Sequence, residues 1–451
     1  MLPTLLKDEK RCRGLIKTYD GIVADFSRQK VYSLDIALSA VNPELLKKQI
    51  AGLLSGEHVN VSEDRAALHT ELRKSCPREE VADVLDEVQA FCAKNTMRNV
   101  VVIGIGGSCL GPSYLHRALK HLVETDKRLF FVSNVDPIEI DSVLKQVDLD
   151  NTLFIVTSKT FTTAETAMNA SIARDALLES GLPVAQHMVA VSANPGAARA
   201  FGIQDVFAFW DWVGGRFSTW SAVGALPISL VYGYDVFERF LRGGESIDKH
   251  FAEAPIAENI PAIMGILGCF NVSILCYPAR AVLPYSAALD GFVPHVQQLM
   301  MESNGKSPDA GEIVFGDTGT NGQHSFYQLL HQGRPLPCDF IAFARGVTKY
   351  EGSHRELLHN FMAQPDALAL GDPDNGFPGD RPSTALLFRE LSPYSLGQLL
   401  AIYEHQTAVQ GFVWDINSFD QPGVQLGKTL AKQVSSGKTA TTSTSITMSF
   451  L

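Results

Sequence analysis

The chain has 451 residues, 45% hydrophobic and 19% charged, the proportions of a globular protein and not of a disordered, collagen-like or low-complexity one. Its 49 acidic side chains outnumber 38 basic ones, giving a net charge of −11, so general affinity for nucleic acid or an anionic membrane is disfavoured and any bound anion needs a local site. Seven cysteines (12, 76, 92, 109, 269, 276 and 338) are odd in number, scattered and without a Cys-x-x-Cys pair, which argues against a disulfide framework or zinc site and for a reducing, cytoplasmic setting.

The N-terminus, MLPTLLKDEKRCRG, meets charge by residue 7 and lacks the apolar stretch of a secretory signal, so no export is expected. Residues 1–60 read as mostly helical and precede the first sheet, so they are expected to pack with the later, larger unit. Over 61–230, β-rich apolar runs alternate with helical patterns: Val100 to Ile105, Leu129 to Val132, Leu153 to Thr157, Met188 to Val191 and Val206 to Phe209. That alternation predicts an α/β unit around a parallel sheet. Over 231–434 the pattern is more helical, with strands expected at Ala281 to Leu283, Glu312 to Phe315 and Phe340 to Phe343, hence a second α/β unit. Residues 259–279 carry no charge and reach the length of a membrane span. Pro261, Pro278, Asn271 and Ser273 interrupt them, so a buried helix at a core or subunit interface is expected instead. Residues 435–451, SSGKTATTSTSITMSFL, have little with which to build a core and are expected to form a mobile tail.

Several loops could carry chemistry. The first strand ends in Gly104-Ile105-Gly106-Gly107-Ser108; such a turn can aim backbone N–H groups at an anion, although glycine serves tight strand-to-helix turns for steric reasons too. A dinucleotide fingerprint fails on spacing, because Cys109 occupies the third glycine position. The third run enters Ser158-Lys159-Thr160-Phe161-Thr162-Thr163, with Glu165 following. Four hydroxyls and an ammonium at a helix start fit a phosphate cradle, and equally an ordinary capping run. Two such loops at strand carboxyl ends of one sheet favour the anion site. Asp211-Trp212-Val213-Gly214-Gly215-Arg216-Phe217-Ser218 sets a cation beside glycines; a salt bridge would also account for Arg216. Glu302, in Met301-Glu302-Ser303-Asn304-Gly305-Lys306, ends an uncharged helical stretch and is a candidate carboxylate, or part of a capping turn. His324, in Thr318-Gly319-Thr320-Asn321-Gly322-Gln323-His324, is one of 12 histidines, most of which in any protein are structural. Lys428 lies just past the turn in Phe419-Asp420-Gln421-Pro422-Gly423.

In this order, GIGGS, SKTFTTAET, GGRFS, ESNGK, GTNGQHSFYQLLHQG and GFVWDINSFDQPGVQLGK resemble the motifs of the glucose-6-phosphate isomerase (phosphoglucose isomerase) family, from about Asn60 through Lys428. Cys109 stands where the family commonly has an acidic or small polar residue, Pro422 where tryptophan is common and Gln425 where glutamate is common. The resemblance implies two sugar-isomerase-type (SIS) three-layer α/β/α domains with mainly parallel sheets and helical extensions at both ends. It also implies reversible conversion of glucose 6-phosphate to fructose 6-phosphate, in glycolysis and gluconeogenesis, with no cofactor or metal. By similarity Glu302 is the base, Arg216 the oxyanion-stabilising cation, and His324 and Lys428 open the sugar ring, with Glu165 orienting His324. Gly107, Ser108, Ser158, Lys159, Thr160, Thr163, Gly215, Gln298 and Gln421 become substrate and phosphate contacts. The family's homodimer implies that His324 acts in trans. A sugar-phosphate-sensing regulator would share the phosphate loops without needing the four catalytic groups together. An amino-sugar phosphate isomerase or a mannose-accepting variant is the nearer alternative.

Overall fold

A computed structural model describes residues 1–438 and 441–448. The N-terminal stretch is more helix than strand, as expected, but it also contains a hairpin that the sequence reading did not include, β1 (Ile16–Tyr19) and β2 (Ile22–Asp25), closed by Asp20-Gly21. Both turn residues have positive φ, 42° and 80°, as a two-residue hairpin turn requires and Asp-Gly readily supplies. Helices such as Pro43–Ser55 make up much of the rest of this stretch.

Five strands, β3 (Asn99–Ile103), β4 (Arg128–Val132), β5 (Thr152–Thr157), β6 (Met188–Ser192) and β7 (Val206–Ala208), form a parallel sheet in the order β4-β3-β5-β6-β7. Every residue of β3 and β5 is buried. Val100, Val102 and Ile155 feed one core and Val101, Ile103, Phe154 and Val156 another, so helices must cover both faces. The first core includes α1 (Glu79–Lys94) and α2 (Leu110–Leu119); the second includes α3 (Pro137–Leu144) and α4 (Ala164–Glu179).

Three helices, α5 (Ala222–Tyr232), α6 (Tyr234–Glu253) and α7 (Ile260–Ser273), lead to a second sheet. It holds β8 (Ala279–Pro284), β9 (Ile313–Gly316), β10 (Cys338–Arg345) and, after α8 (Glu351–Leu370), β11 (Ser383–Glu390). The order is β1-β2-β11-β10-β8-β9: β11, β10, β8 and β9 run parallel, and β2 joins β11 antiparallel. The N-terminal hairpin thus extends a sheet whose other strands come from beyond residue 278. Leu283 and Phe340 pack with Phe361 and Leu368 of α8 on one face, while Val282, Ile341 and Leu386 belong to the central core on the other.

That central core is organised by α9 (Pro393–Trp414), buried on all sides from Ser395 to Gly411, the position expected of a helix without a solvent face. Glycines let its neighbours approach: a Cβ on Gly243 would lie 1.9 Å from the Tyr394 carbonyl oxygen, and one on Gly397 would lie 2.0 Å from that of Phe240. The uncharged 259–279 stretch forms α7, packed along α9 within the chain's own core, with Ile263 and Leu267 only 1% and 2% exposed. The core half of the expectation therefore holds, and α7 offers no free apolar face to a second subunit. Among the described residues, no helix is long and apolar enough to cross a membrane. In the Ser/Thr-rich end expected to be a mobile tail, residues 442–448 are helical, while 439–440 and 449–451 lie outside the described residues.

Candidate active site

The loop after β3 is held open by backbone contact. Gly106 has φ +60°, and a Cβ there would come 3.2 Å from the Gln298 amide nitrogen; a Cβ on Gly107 would lie 2.1 Å from the Gly215 carbonyl carbon and oxygen. Glycine at 107 is therefore required by the meeting of two loops, GIGGS and GGRFS, whatever it does for a ligand. Ser218 Oγ donates to the Gly107 carbonyl at 3.4 Å. Ser108 is half-buried beside them. Cys109 is 6% exposed, and burial pushes its thiol up to about 11, so it stays neutral and adds no negative charge to an anion site.

The second loop curls over the start of α4. Ser158 Oγ accepts from the Phe161 amide at 3.1 Å and donates to Thr163 Oγ1 at 3.4 Å, and Phe161 takes the left-handed conformation at φ +56°. Thr160 Oγ1 lies 2.7 Å from Thr162 Oγ1. Thr163 is the N-cap of α4 but makes no side-chain cap bond, leaving the helix's first N–H groups for a ligand. The Lys159 ammonium donates to the Asp211 and Val213 carbonyls at 2.8 and 3.1 Å. Burial lowers its pKa, with Asp211 opposing. Lys159, Thr160, Gly215 and Gln421 line one cavity of about 270 Å³.

Arg216, 1% exposed, is fixed by four donated bonds: Nε to Ser303 Oγ at 2.6 Å, Nη1 to Gln421 Oε1 at 3.0 Å, and Nη2 to the Ser418 and Asp420 carbonyls at 2.6 and 3.0 Å. Burial draws the guanidinium down to about 10, with Glu302 and then Asp420 opposing, so it remains charged at neutral pH. Glu302 sits at the end of a π-turn, Gln298–Glu302, one of the local bulges that recur at functional positions in helices. Its Oε2 accepts from Gln298 Nε2 at 2.9 Å and its Oε1 lies 3.8 Å from Arg216 Nη1. The Glu302 side chain keeps 24% exposure. Gln298 Oε1 is buried without a partner among the described residues, which leaves an acceptor for a ligand hydroxyl.

The chain thus brings together Arg216, Glu302, Gln298 and Gln421, and sets Gly107 against Gly215. It does not join His324, Lys428 or Glu165 to them. His324 is exposed, just past the helix Gly319–Gln323; Lys428 is exposed on the helix Gln425–Ser435; Glu165 is half-buried in the first turn of α4. No hydrogen bond or ion pair among the described residues links any of these three to Glu302 or to one another. Ser303, Lys306, Ser418 and Asp420 complete the surroundings of Arg216. All four lay inside recognised motifs, yet nothing in their spacing announced a role. His69, buried and stacked on Phe217 at 4.6 Å while lining the cavity, carried no sequence signal.

A carboxylate beside a buried guanidinium, next to hydroxyl and N–H groups at strand ends of an α/β/α domain, places a base and a fixed cation beside groups suited to an anion. The family profile described as phosphoglucose isomerase matches residues 25–449, and the chain belongs to that family. It is 45% identical over 497 aligned positions to the cytosolic glucose-6-phosphate isomerase of Arabidopsis thaliana, covering 96% of this chain and 88% of that protein. The Spinacia oleracea cytosolic enzyme is 45% identical with the same coverage. A crystal structure of glucose-6-phosphate isomerase from Chlamydia trachomatis superposes with a TM-score of 0.92 at 36% identity, over 98% of this chain and 94% of that one.

Proposed function

We propose that the chain performs its family's reaction, the interconversion of glucose 6-phosphate and fructose 6-phosphate, with the groups just described. The observation that carries the reading is the Glu302–Arg216 pair. Moving a carbonyl between C1 and C2 needs one base to carry a carbon-bound proton and one cation to stabilise the enediolate oxygen. Arg216 spends its nearest donors on Ser303, Gln421 and two carbonyls and stands 3.8 Å from Glu302. The carboxylate is therefore close to the cation without being locked to it, and stays available to a proton. Ser108, Ser158, Lys159, Thr160, Thr163 and the N–H groups at the start of α4 hold the phosphate, with Gly107, Gly215, Gln298 and Gln421 completing the contacts. His324 and Lys428 move protons between ring oxygen and C1 hydroxyl, and Glu165 orients His324. A coupled assay of purified protein with glucose, mannose and glucosamine 6-phosphates tests this: turnover is expected with the first, and turnover of glucosamine 6-phosphate alone would favour the amino-sugar alternative.

The assembly proposed is a homodimer in which His324 of one copy completes the site of the other. It is supported by the exposure of His324 and by the absence, among the described residues, of any hydrogen bond or ion pair between it and Glu302. Exposed apolar residues on neighbouring elements near the phosphate loops, Val135 at 42%, Ile138 at 73% and Met168 at 56%, offer surface for such a contact. The compartment proposed is the cytoplasm, as for the relatives named cytosolic.

Two outcomes follow for the ligand chemistry. Ser158→Ala and Thr160→Ala should weaken binding of 6-phosphogluconate while Lys159→Met does so with a salt dependence, since a charge is screened and a hydroxyl is not. Isothermal titration at two salt concentrations checks this, and unchanged affinity in all three would move the cradle elsewhere. Activity should also survive exhaustive dialysis against a chelator. Among the described residues no group of three or more His, Cys, Asp or Glu is placed to hold a metal ion, and a loss restored by added metal would overturn the metal-free reading.

A further inference from the structure

Arg216 is held by the segment 417–421, and that segment is itself held by Lys306. The Lys306 ammonium donates to the Asn417 carbonyl at 2.8 Å, the Asp420 carbonyl at 2.8 Å and Asp420 Oδ1 at 2.6 Å, using all three of its protons. The Asp420 carbonyl also accepts from Arg216 Nη2 at 3.0 Å, so one oxygen is shared by both cations. The other Asp420 oxygen accepts from Ser62 Oγ and from Asn417 Nδ2. Asn304 adds a second tie, its Oδ1 accepting from Ser418 Oγ at 2.6 Å, and the Ser418 carbonyl is the other Nη2 acceptor. The run Glu302-Ser303-Asn304-Gly305-Lys306 therefore supplies a carboxylate facing Arg216, a hydroxyl accepting from its Nε, and two side chains gripping the segment that receives the rest of its donors. The Lys306 and Asp420 side chains are only 16% and 12% exposed, so the pair is poorly screened and its loss leaves a partly buried charge unmatched.

We propose that Lys306 is a positioning residue for the isomerisation: through Asp420 it fixes the oxygens that aim the Arg216 guanidinium at the reacting carbons beside Glu302. The proposal rests on the reading of Arg216 and Glu302 given above. Lys306 touches neither of them directly and does not line the cavity with Lys159 and Thr160. Its loss should therefore raise the barrier to proton transfer while leaving phosphate recognition in place, because small misplacements of an oriented group cost rate before they cost binding.

The test compares Lys306→Met, Asp420→Ala, their double variant and Arg216→Met in steady-state assays, with 6-phosphogluconate affinity and the thermal unfolding midpoint measured alongside. Both single variants are expected to lose kcat by about 10- to 100-fold while KM and inhibitor affinity stay within about threefold of the parent. The double variant should be no worse than the poorer single, since both remove one pair. A merely structural pair would lower the unfolding midpoint and leave kcat of the folded enzyme near the parent's. A folded Lys306→Met with kcat within about twofold of the parent, or with KM raised and kcat unchanged, overturns the proposal. Should Lys306→Met not fold, Asp420→Ala decides by the same criteria. Arg216→Met separates the two layers: if it keeps kcat, the reading of Arg216 falls; if it loses kcat while the Lys306 and Asp420 variants keep it, only the positioning role falls.

Discussion

Glu302→Gln is expected to lower kcat by on the order of 10²-fold or more, with KM and 6-phosphogluconate affinity close to those of the parent. The amide is isosteric and can occupy the same place against Gln298 and Arg216, but it cannot accept a proton from carbon. Nothing in the phosphate cradle touches Glu302, so binding has no reason to fall with rate. The proton that Glu302 carries exchanges with water during its residence on the carboxylate, and incorporation of solvent hydrogen at C2 should therefore decline in step with kcat. Measuring tritium exchange beside the forward rate separates the possibilities: an exchange rate near that of the parent would assign the base to another group.

The second large effect is a recovery. Glu302→Gln and His324→Ala should each be nearly inactive alone, yet an equimolar mixture taken through complete subunit exchange should regain about a quarter of parental activity. In a two-fold dimer with random exchange about half the molecules are mixed. If each site combines Glu302 of one chain with His324 of the other, a mixed dimer carries one doubly altered site and one unaltered site. If instead His324 serves the site of its own chain, every site carries one lesion and no recovery should follow, even with exchange demonstrated by differently tagged subunits. The first outcome is the one expected from the proposed dimer, in which His324, exposed past the helix Gly319–Gln323, serves the partner's site.

The five strands of the first sheet were legible because each is a short, continuous β-branched or aromatic run, the pattern of a strand buried on both faces. The runs at 281, 312 and 340 marked their strands for the same reason. Two features escaped. β11, Ser-Thr-Ala-Leu-Leu-Phe-Arg-Glu, is rich in residues that favour a helix, and pairing with β10 and β2 overrides that preference. The β1–β2 hairpin carries an Asp-Gly turn signal, but its flanking strands have four residues each and are stabilised by docking on β11. The site motifs could be read one by one, because glycines, a Ser/Thr run and isolated charges stand out against apolar surroundings. That Arg216 would meet Ser303, Ser418 and Gln421 could not be read, since these contacts cross up to 205 positions. Lys306 shows the limit most clearly: it lies in the same short motif as Glu302, yet what it grips lies more than 100 positions away.

The contact between Gly107 and Gly215 also acts as a ruler. One loop leads to Ser108 and the other to Arg216, and a Cβ on Gly107 would fall 2.1 Å from the Gly215 carbonyl, so the backbones already touch and have no room to slide closer. A Cβ on Gly106 would come 3.2 Å from the Gln298 side-chain nitrogen, and that nitrogen donates to Glu302. The spacing of the two loops is thereby set by main-chain atoms, and Glu302 is tied to that frame through the Gln298 side chain. With the phosphate in the proposed cradle and Glu302 as the base, a sugar phosphate one carbon shorter is expected to turn over poorly, because its carbonyl end would fall short of the base when its phosphate is seated. On that reading, selection by chain length would come from the frame of the molecule, before any hydroxyl group has been inspected.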